Sequence, residues 1–259
     1  MQDLTVTIVQ ADLAWENKQA NLKHFERLLE TAPPQTDLTI LPEMFSTAFT
    51  MNAAALAEPA DGPTVRWLQK IAQKRQTALI TSLIVEEDGK YYNRLFFILP
   101  EGRLFSYDKR HLFRMAGENE VYSAGSERLT VELKGWKIRP FICYDLRFPV
   151  WTRNVNGEYY LAVFIANWPE RRAQHWTTLL KARAIENQAY VVGVNRVGQD
   201  GLQIEYSGDS LVVDPLGNDL VHLRRQEGIH TKRLSAHTLK SYRQKFPVWM
   251  DSDRFEIVE

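Results

Sequence analysis

This 259-residue sequence predicts an α/β fold of sheets layered with helices, and three observations carry the expectation. Short β-rich runs alternate with longer stretches whose apolar residues recur at helical spacing. Turn dipeptides join some neighbouring runs directly, as antiparallel hairpins require. Prolines and glycines punctuate the ends of these runs. Helices covering sheets that mix direct hairpins with βα units form a layered α/β architecture. Periodicity does not order the strands.

The chain opens on a strand, Leu4-Thr5-Val6-Thr7-Ile8-Val9-Gln10. Residues 15–31 follow as a helix, because Leu22, Phe25, Leu28 and Leu29 share a face with charges between them. Pro33-Pro34 stops it. Leu38-Thr39-Ile40-Leu41 is an apolar strand ending at Pro42, which has no N–H for a neighbouring strand, and it delivers Glu43. Residues 64–76 repeat the helical pattern through Leu68, Ile71 and Ala72. Strands over 78–85 and 92–99 flank an Asp88-Gly89 turn. Glu101-Gly102 then turns the chain into Leu104-Phe105-Ser106-Tyr107-Asp108, which delivers Lys109. A further hairpin over 129–133 and 137–142 turns at Gly135 and ends at Cys143. A strand at 161–166, a long helix over 171–188 and a strand at 189–194 come next. Strands at 211–213 and 221–223 flank Asp214-Pro215-Leu216-Gly217. No linker, repeat or low-complexity segment divides the chain, so a single domain over 1–259 is expected. Residues 236–259, rich in basic, acidic and aromatic side chains, read as a C-terminal extension.

Composition narrows the function classes. Lys+Arg and Asp+Glu number 32 each, which leaves no basic footprint for nucleic acid or an anionic membrane. One cysteine cannot form an internal disulfide, so a reducing, cytoplasmic setting is expected. The N-terminus Met1-Gln2-Asp3-Leu4 carries no basic and apolar leader pattern. No apolar stretch approaches the roughly 18 residues of a membrane span. The six histidines are scattered and form no HExxH motif, and no P-loop occurs, so neither a metal nor another cofactor is expected. No Gly-x-Ser-x-Gly elbow supports a serine hydrolase. A papain-like dyad would need His111 or His175, and neither stands in a papain-type context.

Three predicted strands therefore end in Glu43, Lys109 and Cys143. A lone cysteine can be a small buried hydrophobe, and charged residues at strand ends are commonly just solvated. Yet the carboxyl ends of strands in open α/β sheets are where ligands collect, and a thiol there becomes a nucleophile when its neighbours favour the thiolate. The three residues in this order, within Leu41-Pro42-Glu43-Met44-Phe45, Tyr107-Asp108-Lys109-Arg110-His111-Leu112-Phe113 and Ile142-Cys143-Tyr144-Asp145-Leu146-Arg147-Phe148-Pro149, resemble the nitrilase (carbon–nitrogen hydrolase) superfamily and its Glu–Lys–Cys triad. The resemblance runs from the opening strand to about Gly217. Cys143 to Pro149 and His111 to Glu120 are most similar to the omega-amidase branch, which deamidates α-keto acid amides.

The resemblance implies an αββα sandwich of two mixed sheets with helices outside, paired into a homodimer; the extension over 236–259 is expected to be solvated or to pack on that dimer. It implies that Cys143 attacks the amide carbon while Glu43 takes the thiol proton, returns it to the departing ammonia and activates water. Lys109 and the backbone N–H of Tyr144 would face the oxyanion. A lysine so placed should favour the charged form of both acids. The superfamily commonly adds a second glutamate; Glu120 is preferred from its distance to the Ala124-Gly125 turn, with Glu118 as the alternative. Arg147, four residues past the nucleophile, offers a fork that suits a substrate carboxylate. It could instead bond loop carbonyls or Asp145. Phe45, Phe113 and Trp168 either shape a narrow pocket or fill the core, with Trp168, just after a strand, the best placed. The implied activity is hydrolysis of a small carboxylate-bearing amide through a thioester, with α-ketoglutaramate or α-ketosuccinamate as substrate. A nitrilase or N-carbamoyl amino acid amidohydrolase would use the same triad. A non-catalytic dimeric scaffold is the other class, and the retained triad argues against it.

Overall fold

The computed structural model describes residues 1–253 and 255–257 and contains two mixed β-sheets. The first begins with β1 (Leu4–Gln10), β2 (Leu38–Ile40), β3 (Ala78–Glu87), β4 (Lys90–Ile98) and β5 (Leu104–Asp108). β1, β2 and β3 are parallel neighbours, and β3, β4 and β5 form an antiparallel meander. The second holds β6 (Val131–Leu133), β7 (Trp136–Ile142), β8 (Leu161–Ala166), β9 (Tyr190–Asn195), β10 (Val197–Gln199), β11 (Glu205–Val213) and β12 (Asp219–Arg224). Here β7, β8 and β9 are parallel, β6 pairs antiparallel with β7, and β11 pairs antiparallel with β9, β10 and β12. β13 (Gly228–Leu234) returns to the first sheet, antiparallel to β1.

Side chains one residue apart on a strand face opposite ways, and both faces of the first sheet are apolar. Leu4, Val6 and Ile8 of β1, Ala78 and Ile80 of β3, and Leu95 and Phe97 of β4 share one core with Trp136, Ile138, Val192 and Val194 of the second sheet. Leu79, Leu83, Phe96 and Ile98 pack instead with Phe25 and Leu29 of α1 (Lys18–Thr31). The short α2 (Ala53–Leu56) precedes α3 (Pro63–Arg75), which adds Val65, Leu68 and Ala72 to that second core. Two further short helices follow, α4 (Glu118–Val121) and α5 (Pro149–Thr152). The outer face of the second sheet is covered by α6 (Ala173–Asn187). Its Leu180 and Trp176 come so close that a Cβ on Gly193 would lie 2.4 and 2.8 Å from them. The layers are thus α, β, β and α, as the sequence resemblance implied.

Local chemistry sets the boundaries. Asn17 caps α1 by accepting the Ala20 N–H at 3.0 Å, so the helix begins three residues later than the apolar pattern alone suggests. Asp88 and Gly89 both have positive φ (52° and 72°), which the tight turn between β3 and β4 requires. The periodicity missed β10, β13 and α7 (Ala236–Lys245). Ser235 caps α7, Leu239 is buried, and Arg243 donates to the carbonyls of Tyr159 and Gln188 at 2.9 and 2.8 Å. The first part of the expected extension 236–259 therefore rests on this chain's own core, while Arg254, Val258 and Glu259 lie outside the described residues. Among the described residues no helix is long and apolar enough to cross a membrane.

Candidate active site

β2 and β7 are both parallel strands, and Glu43 and Cys143 follow their carboxyl ends. Lys109 follows β5 directly. Cys143 takes φ +42° and opens a single turn of 3-10 helix over Cys143–Arg147, so the thiol stands on a sharp corner. A non-glycine residue held there costs roughly 1–3 kcal/mol and persists only where its surroundings enforce it. Buried Asp145 supplies that enforcement. One of its oxygens accepts the Ile142 N–H at 3.0 Å and the Tyr107 hydroxyl at 2.7 Å. The other accepts the His111 N–H at 3.1 Å and lies 2.8 Å from His111 Nδ1. One carboxylate thus ties the residue before the thiol to the segment on either side of Lys109.

Glu43, Lys109 and Glu118 form a buried cluster with exposures of 0, 1 and 0 %. Lys109 Nζ donates to Glu43 Oε1 at 2.9 Å and to Glu118 Oε1 and Oε2 at 2.9 and 3.0 Å. Glu43 Oε1 also accepts Asn93 Nδ2 at 2.8 Å, and Glu43 Oε2 accepts the Asn167 N–H at 2.8 Å. Asn167 Nδ2 donates back to the Glu43 carbonyl at 2.6 Å, and its own carbonyl lies 4.0 Å from Cys143 Sγ. These bonds fix the orientation of Glu43 beside the nucleophile's corner.

Burial disfavours the Lys109 ammonium, but Glu118 and Glu43 outweigh it and hold the lysine charged well past the ordinary range. Burial raises the Glu118 carboxyl against the pull of Lys109. Burial and then Glu43 push the Cys143 thiol well above its usual value, more than Lys109 lowers it. Lys109 does favour the thiolate, as expected, but burial and Glu43 outweigh it and favour keeping the proton on the sulfur. Its proton must leave during attack, which requires an acceptor such as Glu43.

The preference for Glu120 is also corrected. Glu120 is exposed, whereas Glu118 is buried against Lys109 and accepts the Phe113 N–H at 2.5 Å. α4 starts at Glu118, and residues two apart on a helix do not share a face, so only one of the two can turn inward. Counting back from the downstream turn carried no information about where that helix begins.

A cavity of about 550 Å³ opens over Cys143, Glu43 and Lys109. Phe113, Tyr144 and Trp168 line it, while Phe45 packs in the helix-side core, 5.1 Å from the Phe25 ring. The Tyr144 ring stands edge-on to Phe113 and Phe148. Arg147 lines the cavity with its guanidinium carbon 4.8 Å from the Trp168 ring centroid and Nη2 3.0 Å from His175 Nδ1. Asp145 is taken by other partners, and among the described residues no carboxylate pairs with Arg147. Sequence reasoning missed Asn93 and assigned no role to Asn167, whose amides steady Glu43 from β4 and from the loop after β8. It missed Arg172 on the cavity wall as well. Among the described residues no group of three or more His, Cys, Asp or Glu side chains is placed to hold a metal ion.

Comparison with known proteins places the chain in a family. Residues 5–244 match the sequence family described as carbon–nitrogen hydrolase. The chain is 46 % identical to the omega-amidase YafV of Yersinia enterocolitica, over 98 % of this chain and 99 % of that protein. It is 34 % identical to the 2-oxoglutaramate amidase of Bacillus subtilis strain 168, over 95 % of this chain and 96 % of the relative. The crystal structure of XC1258 from Xanthomonas campestris, a CN-hydrolase superfamily protein with an arsenic adduct in its active site, superposes with a TM-score of 0.98. That protein is 44 % identical, with each chain fully covered.

Proposed function

This chain belongs to the carbon–nitrogen hydrolase family and is an amide-hydrolysing enzyme, and we propose that it deamidates α-keto acid amides bearing a free carboxylate, α-ketoglutaramate or α-ketosuccinamate, through a thioester on Cys143. The observation that carries the substrate class is Arg147, a guanidinium without a carboxylate partner among the described residues, on the cavity that also holds Cys143, Glu43 and Lys109. The names of the relatives, omega-amidase and 2-oxoglutaramate amidase, support the same class.

In this reading the substrate carboxylate lies on Arg147 and the far amide carbon meets Cys143 Sγ. Glu43 takes the thiol proton as the C–S bond forms. Lys109 and the Tyr144 N–H receive the oxyanion. Collapse of the tetrahedral intermediate breaks the C–N bond, and Glu43 passes its proton to the departing ammonia. Water, deprotonated by Glu43, then attacks the thioester, and the acid leaves as the thiol is restored. Glu118 positions Lys109 rather than touching the reacting atoms. The upward push on the thiol supports this order, in which Glu43 removes the proton as the C–S bond forms.

Arg147→Lys tests the carboxylate assignment, since it keeps the charge and loses the fork. kcat/KM for α-ketoglutaramate is expected to fall by about 10- to 100-fold, the worth of one hydrogen bond to a charged group. For a short uncharged amide such as butyramide it should hardly change, and the pair of substrates isolates the coupling. Equal losses on both would make Arg147 structural. A nitrile or carbamoyl amino acid hydrolysed faster than any α-keto acid amide would favour the other chemistries available to the same triad.

A further inference from the structure

Arg147 shares the cavity wall with two more arginines, Arg171 and Arg172, and neither of these pairs with a carboxylate among the described residues. Arg172 closes the 3-10 turn Glu170–Arg172 after β8, and its backbone carbonyl accepts the Trp168 indole N–H at 2.8 Å. Its guanidinium carbon lies 5.4 Å from the Phe113 ring centroid. Arg147 rests on the ring of the same Trp168. Both guanidinia are therefore laid on aromatic faces, which orient them without neutralising them. The carboxylates on the cavity wall are engaged elsewhere. Glu16 accepts from Thr50 and Asn52 at 2.5 and 3.0 Å, and Asp200 accepts from Leu202, Ile204 and Tyr206. Burial and then the neighbouring Arg171 and Arg147 press the Arg172 guanidinium below its ordinary pKa.

We propose that Arg172 reads the α-substituent of the substrate, donating to an α-keto oxygen and repelling an α-ammonium once the adjoining carboxylate lies on Arg147. The inference rests on the function proposed above and goes beyond it by assigning the keto-over-amino selection to one residue. A keto oxygen presents the negative end of a dipole to the guanidinium. An ammonium in the same place adds a further cation to an already unbalanced cluster in a largely apolar cavity, where like charges in contact are strongly disfavoured. α-Ketoglutaramate and L-glutamine share carboxylate, chain length and leaving group and differ only at that carbon.

The test is kcat/KM for both amides in the wild type, Arg172→Gln and Arg172→Glu, with thermal unfolding measured alongside. The Arg172 guanidinium makes no hydrogen bond within the protein among the described residues, so the substitutions should leave the fold intact. Arg172→Gln is expected to lower kcat/KM for α-ketoglutaramate by about 10- to 100-fold, on the scale of one lost hydrogen bond to a charged group. It should leave glutamine unchanged or improved. Arg172→Glu should move the ratio further toward glutamine. Should a variant fail to fold, Arg172→Lys replaces it, and is expected to keep the rejection of glutamine while losing part of the preference for the keto group. Equal losses on the two amides, or an unchanged ratio, would overturn the assignment. A wild-type enzyme that releases no ammonia from α-ketoglutaramate would instead overturn the proposed substrate class itself.

Discussion

Cys143→Ala is expected to lower ammonia release from α-ketoglutaramate by roughly 10⁴- to 10⁶-fold, the scale on which removing the nucleophile silences a catalytic triad. Thermal stability should stay near wild type. The thiol faces the cavity, and among the described residues its hydrogen-bonding contact is the long 4.0 Å approach to the Asn167 carbonyl. Cys143→Ser should be nearly as inactive, because a hydroxyl holds its proton more tightly than a thiol and is the weaker nucleophile. Thr50 carries an aliphatic hydroxyl on the cavity wall, and it is committed to Glu16. Substantial turnover in a clean Cys143→Ala preparation would remove Cys143 from the mechanism.

The second large effect concerns the buried cluster. Glu43→Gln keeps the shape and loses the proton acceptor, so formation and breakdown of the thioester should both slow, by roughly 10²- to 10⁴-fold in kcat. Lys109→Ala should cost about 10²- to 10³-fold in kcat, as expected for one oxyanion donor, with little change in KM. It should also destabilise the fold by about 3–5 kcal/mol, because Glu43 and Glu118 would be left buried without their shared cation. Glu118→Gln weakens the hold on Lys109 and should reduce kcat, whereas Glu120→Gln, at an exposed position, should behave as wild type. Initial-rate kinetics with thermal melts reads all four. A wild-type kcat in Glu43→Gln would end its assignment as the base, and equal behaviour of the two Glu-to-Gln variants at 118 and 120 would undo the positional argument.

The residues that could be found from sequence share one property: each ends an apolar run. Pro42 marks the end of β2 before Glu43, Asp108 the end of β5 before Lys109, and Ile142 the end of β7 before Cys143. Hairpins were legible where two consecutive positive-φ positions were needed, as at Asp88-Gly89. β13 was not, because Gly-Ile-His-Thr-Lys-Arg-Leu pairs with β1 alone and carries mostly partly exposed polar side chains. Asn93 lies inside β4, and its approach to Glu43 depends on strand order, which period-2 patterning does not encode. The choice between Glu118 and Glu120 turned on the start of a four-residue helix. The state of the thiol turned on burial and on the nearness of Glu43, both products of tertiary packing. Phe45 was placed by its neighbour Phe25, far away in sequence.

The central claim is that the amide carbon becomes bonded to Cys143. Mixing the wild-type enzyme with α-ketoglutaramate, quenching in acid at successive times and weighing the intact protein tests it most directly, with peptide mapping to locate any adduct. The account predicts a mass gain equal to the substrate's acyl group on the peptide carrying Cys143, discharged by hydroxylamine and missing from Cys143→Ala. Ammonia released at full rate with no acyl group on Cys143 at any quench time, or with the group on another residue, would contradict it.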